Sequence, residues 1–224
     1  MDYDNFQNYA TGAQPYELEN AVTKWPVLLA DLRAFLKINN NREDDLLKAL
    51  IESATGDAEA YSKKDFITKD YITYRDIFGD FGEKPLSVGY PAVVPYNFNS
   101  AAPIVLRKSP LVSITEISYL LDDVVTVLDD STYRIVKKSA YSQIIPTGGL
   151  YWPTADFTQQ AITIKFKAGY GLDSKQTPAD IKTAIMQIAA NYYVNRGDFS
   201  DETKVMPETA RAILNRYTIR SMVP

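Results

Sequence analysis

The side chains that most often perform chemistry in proteins are missing from this sequence. Its 224 residues include no histidine and no cysteine. These absences exclude a Ser-His-Asp triad, a cysteine nucleophile, thiolate metal sites and disulfide bonds. Catalysis would have to depend on carboxylates, lysine, tyrosine or a bound Mg²⁺ ion, so the sequence favours a function other than that of an enzyme.

Two carboxylate pairs are the remaining groups that suggest chemistry, Asp122-Asp123 and Asp129-Asp130. With Trp25 and Trp152 as surface platforms for sugars, they suggest a glycan-cleaving enzyme. A glycosidase, however, holds its carboxylates on opposite sides of a groove about 5–10 Å wide, which adjacent residues cannot do. Because Asp side chains bond to nearby backbone in turns, we interpret both pairs as turn formers.

Two glycine-containing stretches, Gly148-Gly149-Leu150 and Gly169-Tyr170-Gly171, lack the spacing of a phosphate-binding loop. We interpret them as tight turns. The sequence therefore predicts no catalytic residue, no metal site and no cofactor.

The overall composition favours a component of an assembly. The formal net charge is −4, so the chain is poorly suited to grip nucleic acid, whose phosphates are neutralised by Lys and Arg. A weakly acidic surface would suit a path through which DNA slides. The chain contains 16 tyrosines, and tyrosine is enriched in the cores of protein interfaces. We find neither a membrane-spanning run nor a secretion signal, which predicts a chain made and kept in a cytoplasm.

The N-terminal part predicts an arm followed by a short helix. Residues 1–25 are polar and aromatic without a sustained period, which indicates either an arm ordered on a partner or a floppy terminus. Pro26 opens a helix over 27–38. Five of its apolar side chains are expected to face inward: Leu28, Leu29, Leu32, Phe35 and Leu36.

A second helix is predicted over 42–62, because apolar residues recur there at helical spacing. Asn41 is positioned as its cap. Gly56 in its middle costs about 1 kcal/mol relative to alanine. Either another backbone packs closely at Gly56, which we favour, or the position is simply weak.

A β-block over 66–167 follows, because the apolar period changes to two. Its strands are expected at 66–77, 104–106, 112–121, 124–128 and 133–136, with a last strand containing Ile162, Ile164 and Phe166. Two segments are predicted to be irregular. These are the insertion 79–102, an interaction loop or a flexible one, and the Pro- and Gly-containing loop 142–156.

Two helices are predicted after the β-block, over 178–196 and 207–219. For the first, Thr177 is placed to cap and Pro178 occupies the first helical position. Its apolar stripe anchors a core and consists of Ile181, Ala184, Ile185, Ile188, Ala189, Tyr192 and Tyr193. Residues 221–224 are expected to form a mobile tail.

This order predicts an α+β fold, a helical bundle from the N- and C-terminal helices with an inserted antiparallel β-block. Strands that follow one another through short turns pair antiparallel, which argues against a parallel sheet. We expect one domain over 26–220, with 1–25 as its arm.

Three blocks of this sequence together resemble the bacteriophage head-to-tail connector family, the adaptor or head-completion proteins. They are Pro26–Tyr61, the phrase RKSPLVSITEI at Arg107–Ile117, and AGYG…TPADIKTAI…NYYVNR at Ala168–Arg196. The blocks stand in matching order and spacing, and none is a catalytic motif. The sequence departs from the family pattern in its arm before Pro26 and its insertion at 79–102.

The resemblance implies a structural role in the virion and no enzymatic activity. Family members form a homo-oligomeric ring, commonly of about twelve subunits with closed cyclic symmetry, beneath the portal protein of a DNA-filled capsid. The ring extends the channel, lets genomic double-stranded DNA pass without sequence-specific binding, and docks the tail or the next connector protein. The chain would be made in the host cytoplasm and end in the neck of the particle, with no membrane partner.

The resemblance also implies roles for individual residues. Residues of the ring-forming helices would be Asp44, Glu52, Glu59, Tyr192 and Arg196. The segment Thr209–Pro224 would dock on the portal through Ile213, Arg216, Tyr217, Ile219, Arg220 and Met222. In a ring, the acidic balance would be repeated around the channel and would repel DNA phosphates.

Two alternatives to the connector ring differ from it in testable ways. The first is a carboxylate-based glycan-cleaving tail component, which would require opposed carboxylates and activity on a glycan. A monomeric binding module sharing the fold would lack a ring.

Overall fold

The computed structural model describes residues 16–79, 101–149, 151–156, 158–196 and 206–218. Its fold is α+β, as predicted. The described residues form two compact units, which we call the β unit (16–20, 70–79, 101–107 and 111–167, within the described ranges) and the helical unit (21–69, 108–110 and 168–218, likewise). Whether the two units act as one connector domain stays a prediction.

The helical unit contains four helices among its described residues. They are α1 (Leu29–Leu36), α2 (Asp44–Ser62), α3 (Ala179–Val194) and α4 (Glu208–Leu214). The helix α2 packs on α3, α3 packs on α4, and α1 contacts both α2 and α3. The N- and C-terminal helices therefore form one bundle.

The core of this bundle follows the helical stripes of the sequence. Its fully buried side chains include Leu32 of α1, Leu47 and Ile51 of α2, and Ile185 and Ile188 of α3. Burying each Leu or Ile side chain contributes about 1.5–3 kcal/mol to folding. The bundle is thus held by the apolar stripes that the periodicity predicted.

Two inward predictions for α1 are wrong. Leu28 and Phe35 are exposed, whereas Leu32 is buried and Leu29 and Leu36 are partly buried. Helix α1 is only eight residues long. Leu28 precedes the helix as its N-cap, with extended backbone, and Phe35 lies outside the narrow stripe by which so short a helix covers the core.

The predicted helix caps are also wrong. Helix α2 begins at Asp44 with Glu43 at the N-cap, and α3 begins at Ala179 with Pro178 at the N-cap; neither cap residue makes a side-chain cap bond. The Thr177 hydroxyl instead donates to the carbonyl of Phe66 at 2.9 Å. The Thr177 hydroxyl, which the local sequence predicted to cap the helix, therefore forms a tertiary hydrogen bond instead.

Gly56 has open space around it, and the predicted close approach of another backbone is wrong within the chain. Apart from the local backbone of its own helix, a Cβ built at Gly56 would meet no atom of the described residues within 4 Å. Gly169, by contrast, has a steric reason and a conformational one. Its φ is +139°, and a Cβ there would lie 2.3 Å from the carbonyl oxygen of Ile67.

The β unit contains two sheets. Their strands are β1 (Tyr16–Leu18), β2 (Lys69–Arg75), β3 (Ile104–Leu106), β4 (Leu111–Leu121), β5 (Val124–Val127), β6 (Tyr133–Lys137), β7 (Ser142–Pro146) and β8 (Ile162–Ala168). The five-stranded sheet has the order β1-β2-β8-β4-β5, and the three-stranded sheet has the order β3-β7-β6. The pairs β1/β2, β4/β5, β3/β7 and β6/β7 are antiparallel.

Strand β1 lies inside the segment predicted as an arm, and that part of the prediction is corrected. Tyr16 places its ring 5.8 Å from Phe166 and 6.4 Å from Tyr71, centroid to centroid. This aromatic contact, invisible in a local pattern, holds β1 against β2. The rest of the arm before Tyr16 lies outside the described residues.

Strand β7 lies inside the segment predicted as a loop, so that prediction is also wrong. Ser142, Ile144 and Pro146 are buried on one face of the strand. Pro146 is tolerated because pairing with β3 reaches only Ile144, so no neighbouring strand needs the N–H that proline lacks. The insertion at 79–102 lies outside the described residues except for its ends.

Candidate functional site

Eight of the eleven predicted site residues are described, and all eight lie in the helical unit. Ile219, Arg220 and Met222 lie outside the described residues. The eight form two groups, one along α2 and α3 and the other at the end of α4.

Asp44, at the first turn of α2, is bound by Arg33 of α1. The Arg33 Nε donates to Asp44 Oδ1 at 2.7 Å, and a second contact makes the pair bidentate. The hydrogen bond from Arg33 holds the pKa of Asp44 below its ordinary value of 3.8 and raises the pKa of Arg33. The carboxylate also lies at a helix N-terminus, where negative charge is favourable.

Arg196, beyond the end of α3, belongs to a contact that includes Glu43. Its Nη1 lies 3.2 Å from Glu43 Oε1, and its guanidinium lies over the Tyr193 ring at 4.8 Å from the centroid. The Tyr193 hydroxyl donates to Glu43 Oε2 at 2.5 Å. The start of α2 is thereby tied to the end of α3, and Glu43 is a residue that the sequence did not single out.

Tyr192 and Glu52 differ in how much of each side chain is available. The Tyr192 hydroxyl donates to the carboxylate of Asp57 on α2, and burial with this bond raises the pKa of Tyr192. Glu52 is exposed and forms no ion pair with another residue of the described ranges. Of the predicted ring residues, Glu52 is therefore the one most available to a second molecule.

Glu59 points into the chain and is only 13% exposed. Its Oε1 accepts from the Phe66 N–H at 2.8 Å, and its Oε2 contacts the Lys69 ammonium. Lys69 in turn lies 3.5 Å from Asp65 Oδ1. Burial raises the pKa of Glu59, and Lys69 partly opposes that shift. This arrangement ties the end of α2 to the segment that follows it.

The end of α4 is attached to the first turn of α3. The Tyr217 hydroxyl lies 2.7 and 2.8 Å from the two Asp180 oxygens and donates to this carboxylate. Burial and the Asp180 carboxylate raise the pKa of Tyr217 to about 12. Arg216 Nη2 lies 3.7 Å from Asp180 Oδ2 but remains largely exposed, and Ile213 packs partly against the core. The last described turn is thus attached to the first turn of α3.

The features that suggested a glycan-cleaving enzyme have structural roles. Asp122 and Asp123 form the β4–β5 turn with φ of 52° and 61°, and their N–H groups donate to the Asp156 carboxylate at 3.0 and 2.9 Å. Asp129 accepts from the Ser131 N–H at 2.8 Å. These residues are turn formers, as predicted.

Trp152 is not a surface platform, because it is only 2% exposed. It stacks on Phe78 at 5.2 Å between centroids and donates from Nε1 to the Ala102 carbonyl at 2.8 Å. Within the described ranges, no group of His, Cys, Asp and Glu could hold a metal ion. The helices of those ranges include none long and apolar enough to cross a bilayer.

Strand β5 was predicted from the sequence, but the exposure of its apolar side chains was not. Val124, Val125 and Val127 of β5 are 61–67% exposed. The sequence carried a signal for it, since V-V-T-V has apolar residues at both parities and so cannot place all of them on one buried face.

Comparison with known proteins gives one family match and several structural matches. Residues 27–92 match the family model described as phage gp6-like head-tail connector protein. No curated protein matches the chain by sequence.

The structural matches extend over almost the whole chain. A chain in the neck of an empty gene transfer agent particle, computed with C6 symmetry, is 19% identical, has a TM-score of 0.70 and is matched over 94% of this chain and 98% of its own. A chain in the virion of the native particle is 20% identical, with a TM-score of 0.69 and coverage of 93% and 98%. A chain in the native neck, computed with C12 symmetry, is 20% identical, with a TM-score of 0.66 and coverage of 94% and 98%.

At these identities the structural matches show a shared fold, and the family match covers the segment that contains α1, α2 and β2. The resemblance predicted from the three sequence blocks is thereby confirmed. Over residues 27–92 this chain matches the phage gp6-like head-tail connector family, and over nearly its whole length it has the fold of gene transfer agent neck chains.

Proposed function

We propose that this protein is a structural connector of the virion neck. It forms a ring of about twelve copies beneath the portal protein, extends the DNA channel and provides a docking surface for the tail or the next connector. The observation that carries the proposal is the family match over 27–92, in a chain whose fold matches neck chains over 94% of its length.

The helical unit supports a rigid building block for such a ring. Its helices are tied to one another by Arg33–Asp44, by Glu43 with Tyr193 and by Tyr217–Asp180. Closed rings use heterologous contacts, in which one flank of a subunit fits a different flank of its neighbour. Exposed Glu52 lies on α2 and half-exposed Arg196 lies just beyond the end of α3, and their charges are opposite, so they suit such flanks.

The portal-docking role falls to the end of the chain. Tyr217 and Arg216 contact Asp180 in the last described turn, and Ile219, Arg220 and Met222 follow them in the sequence. The net charge of −4, repeated in every subunit, would let DNA pass without adhering.

The test is the mass of the purified protein by light scattering, with and without portal particles, followed by negative-stain imaging. A closed ring, formed alone or on the portal, is expected. A protein that stays monomeric and does not bind portal particles would contradict the proposal and would favour the binding module.

Deletion of Ile219–Pro224 tests the docking segment. The truncated chain keeps the buried core of the helical unit, so we expect it to keep its helical circular dichroism but lose portal attachment. The control is Lys175→Gln, which changes an exposed side chain outside the docking segment and should attach. Wild-type attachment by the truncated chain would remove this segment from the docking role.

A further inference from the structure

Strand β5 is an apolar strand at the open edge of a sheet. It is the last strand in the order β1-β2-β8-β4-β5, and β4 is its one neighbouring strand among the residues that the structure describes. Val124, Val125 and Val127 are 62%, 67% and 61% exposed. Both faces of the strand and its free edge are therefore accessible.

The backbone of this edge has groups left to pair. The two-residue turn makes Leu121 and Val124 the first bonded pair of the hairpin, and residues alternate from there. Val125 and Val127 consequently direct their N–H and C=O groups away from β4. An added strand would find two donors and two acceptors in line.

Natural proteins usually protect such an edge with lysine, proline or a bulge. The four residues of β5 contain none of these. The charged residues nearest to β5 in sequence are all negative and lie beyond the ends of the strand, at Asp122, Asp123, Asp129 and Asp130. The edge therefore fits a strand that is apolar in the middle and basic near its ends.

The β unit has three other edge strands that a second copy could offer, and two fit poorly. Strand β1 contains Glu17 and is followed by Glu19, so its charges would repel those of β5. Strand β3 is already contacted by Arg75, whose Nη2 donates to the Val105 carbonyl at 3.1 Å.

The third, β6, has the required chemistry. Its sequence is Y-R-I-V-K, with exposed Arg134 and Lys137 on either side of Ile135 and Val136. The Lys137 ammonium donates to the Val112 carbonyl at 2.8 Å, so Arg134 is the basic side chain of the strand that is left for a partner. Lys138 N donates to Tyr141 O at 2.9 Å, which makes 138, 136 and 134 the bonded positions toward β7. Ile135 and Lys137 thus direct their backbone groups to the free edge.

We propose that β5 of one copy pairs with β6 of a neighbouring copy, so that the sheets of adjacent subunits join edge to edge. The contact is heterologous, as a closed ring requires. The inference rests on the proposed ring and names a contact that builds it.

The absence of cysteine from the chain permits a direct test. Full-length Val125→Cys and Ile135→Cys proteins are mixed, assembled and treated with a short bis-maleimide. Covalent dimers containing one chain of each variant are expected, and neither variant alone should cross-link. Because the two cysteines are on different chains, a product cannot arise within one subunit.

Two results would overturn the proposal while leaving the ring intact. Val125→Cys would cross-link to Leu18→Cys on β1 instead of Ile135→Cys, or a ring seen by light scattering would give no cross-link at position 125. Protection of position 125 only after a tail-side protein is added would assign the edge to that partner. Absence of any ring would refute the proposed function and this contact together.

Backbone pairing is tested by Val125→Pro, because proline is tolerated on an edge where its missing N–H faces outward. We expect the concentration at half-assembly to rise at least about tenfold with an unchanged melting temperature. If the proline variant is misfolded, Val125→Lys provides the same test through edge protection. Normal assembly by a folded variant would contradict strand pairing.

The charge argument is tested by Arg134→Glu on β6. It should weaken assembly, and lower salt should enlarge the defect. Lys175→Glu changes the net charge equally at an exposed loop of the helical unit and should assemble normally. Equal defects in both variants would show a general charge effect and would remove β6 from the contact.

Discussion

The helix bundle and the β4–β5 hairpin contain similar aliphatic side chains, which are buried in the bundle and exposed in the hairpin. In the bundle, Ile185 and Ile188 have no exposed surface. In the hairpin, Val125 is 67% exposed. A bundle closes its apolar stripe within one chain, whereas an edge strand leaves apolar area and backbone groups for another chain.

Several polar side chains of the bundle already form hydrogen bonds within the chain. Glu59, Tyr192 and Tyr217 were predicted to contact other subunits or the portal, yet each polar group bonds within the helical unit. No assembly role was predicted for β5, and it offers unpaired groups. Intramolecular bonds stiffen a subunit, while open edges join it to neighbours.

The largest expected effect separates the two regions by stability. Ile188→Ala should destabilise the protein by about 2–5 kcal/mol, because it creates a cavity in a packed core. Val125→Ala, the matched exposed truncation, should change stability by less than about 0.5 kcal/mol. Denaturant unfolding measures both. Equal losses would mean that the hairpin is packed in solution and would break the comparison.

Tyr217→Phe tests the internal bond at the end of α4. Loss of the hydroxyl to Asp180 should cost about 1 kcal/mol, below the usual range for bonds to charged groups because the site is partly exposed.

The pKa of Tyr217, about 12, supplies a second readout of the same bond. A raised folded-state pKa means that the contribution is present below about pH 10, the ordinary tyrosine value, and is lost as pH rises toward 12. Ultraviolet titration of wild type minus variant should show one tyrosine with this late midpoint. Exposed Tyr151→Phe serves as the control, and a midpoint near 10 would contradict the bond.

Gly56→Ala examines the exposed face of α2. It should stabilise the protein by about 1 kcal/mol, because alanine favours a helix and its Cβ meets no atom. Ala60→Gly, on the same exposed face of α2, should lower the stability by a similar amount. Thermal melts measure both changes. A stabilised variant that no longer forms rings would show that a neighbouring backbone packs at Gly56, adding α2 to the contact made by β5.

Arg33→Gln should have the smallest effect, because the pair is close to solvent. Asp44 has a lowered pKa, so its stabilising contribution is present above its ordinary value of 3.8 and is lost as pH falls through the folded-state value. In the variant the Asp44 titration followed by NMR should move up toward 3.8. An unchanged midpoint would show that Arg33 is not the cause.

Much of the bundle could be predicted from local pattern. The stripe from Ile181 to Ala189 predicted a buried face, and these residues are buried. The Asp122-Asp123 turn was predicted from residue type, because Asp tolerates left-handed backbone. Strand β7 was missed because Pro146 reads locally as a break, although it lies where no neighbouring strand needs its N–H.

The sequence by itself determined the α+β class, the main helices and the absence of histidine and cysteine chemistry, because periodicity and residue type are local properties. Tertiary structure alone decided which polar side chains remain available. Thr177 bonds to Phe66, which is distant in the sequence. Glu59 bonds to Phe66 and Lys69 around the end of α2, and the sequence pattern does not predict the geometry of that turn. It also decided that β5 ends its sheet, because strand order depends on pairing between segments distant in sequence.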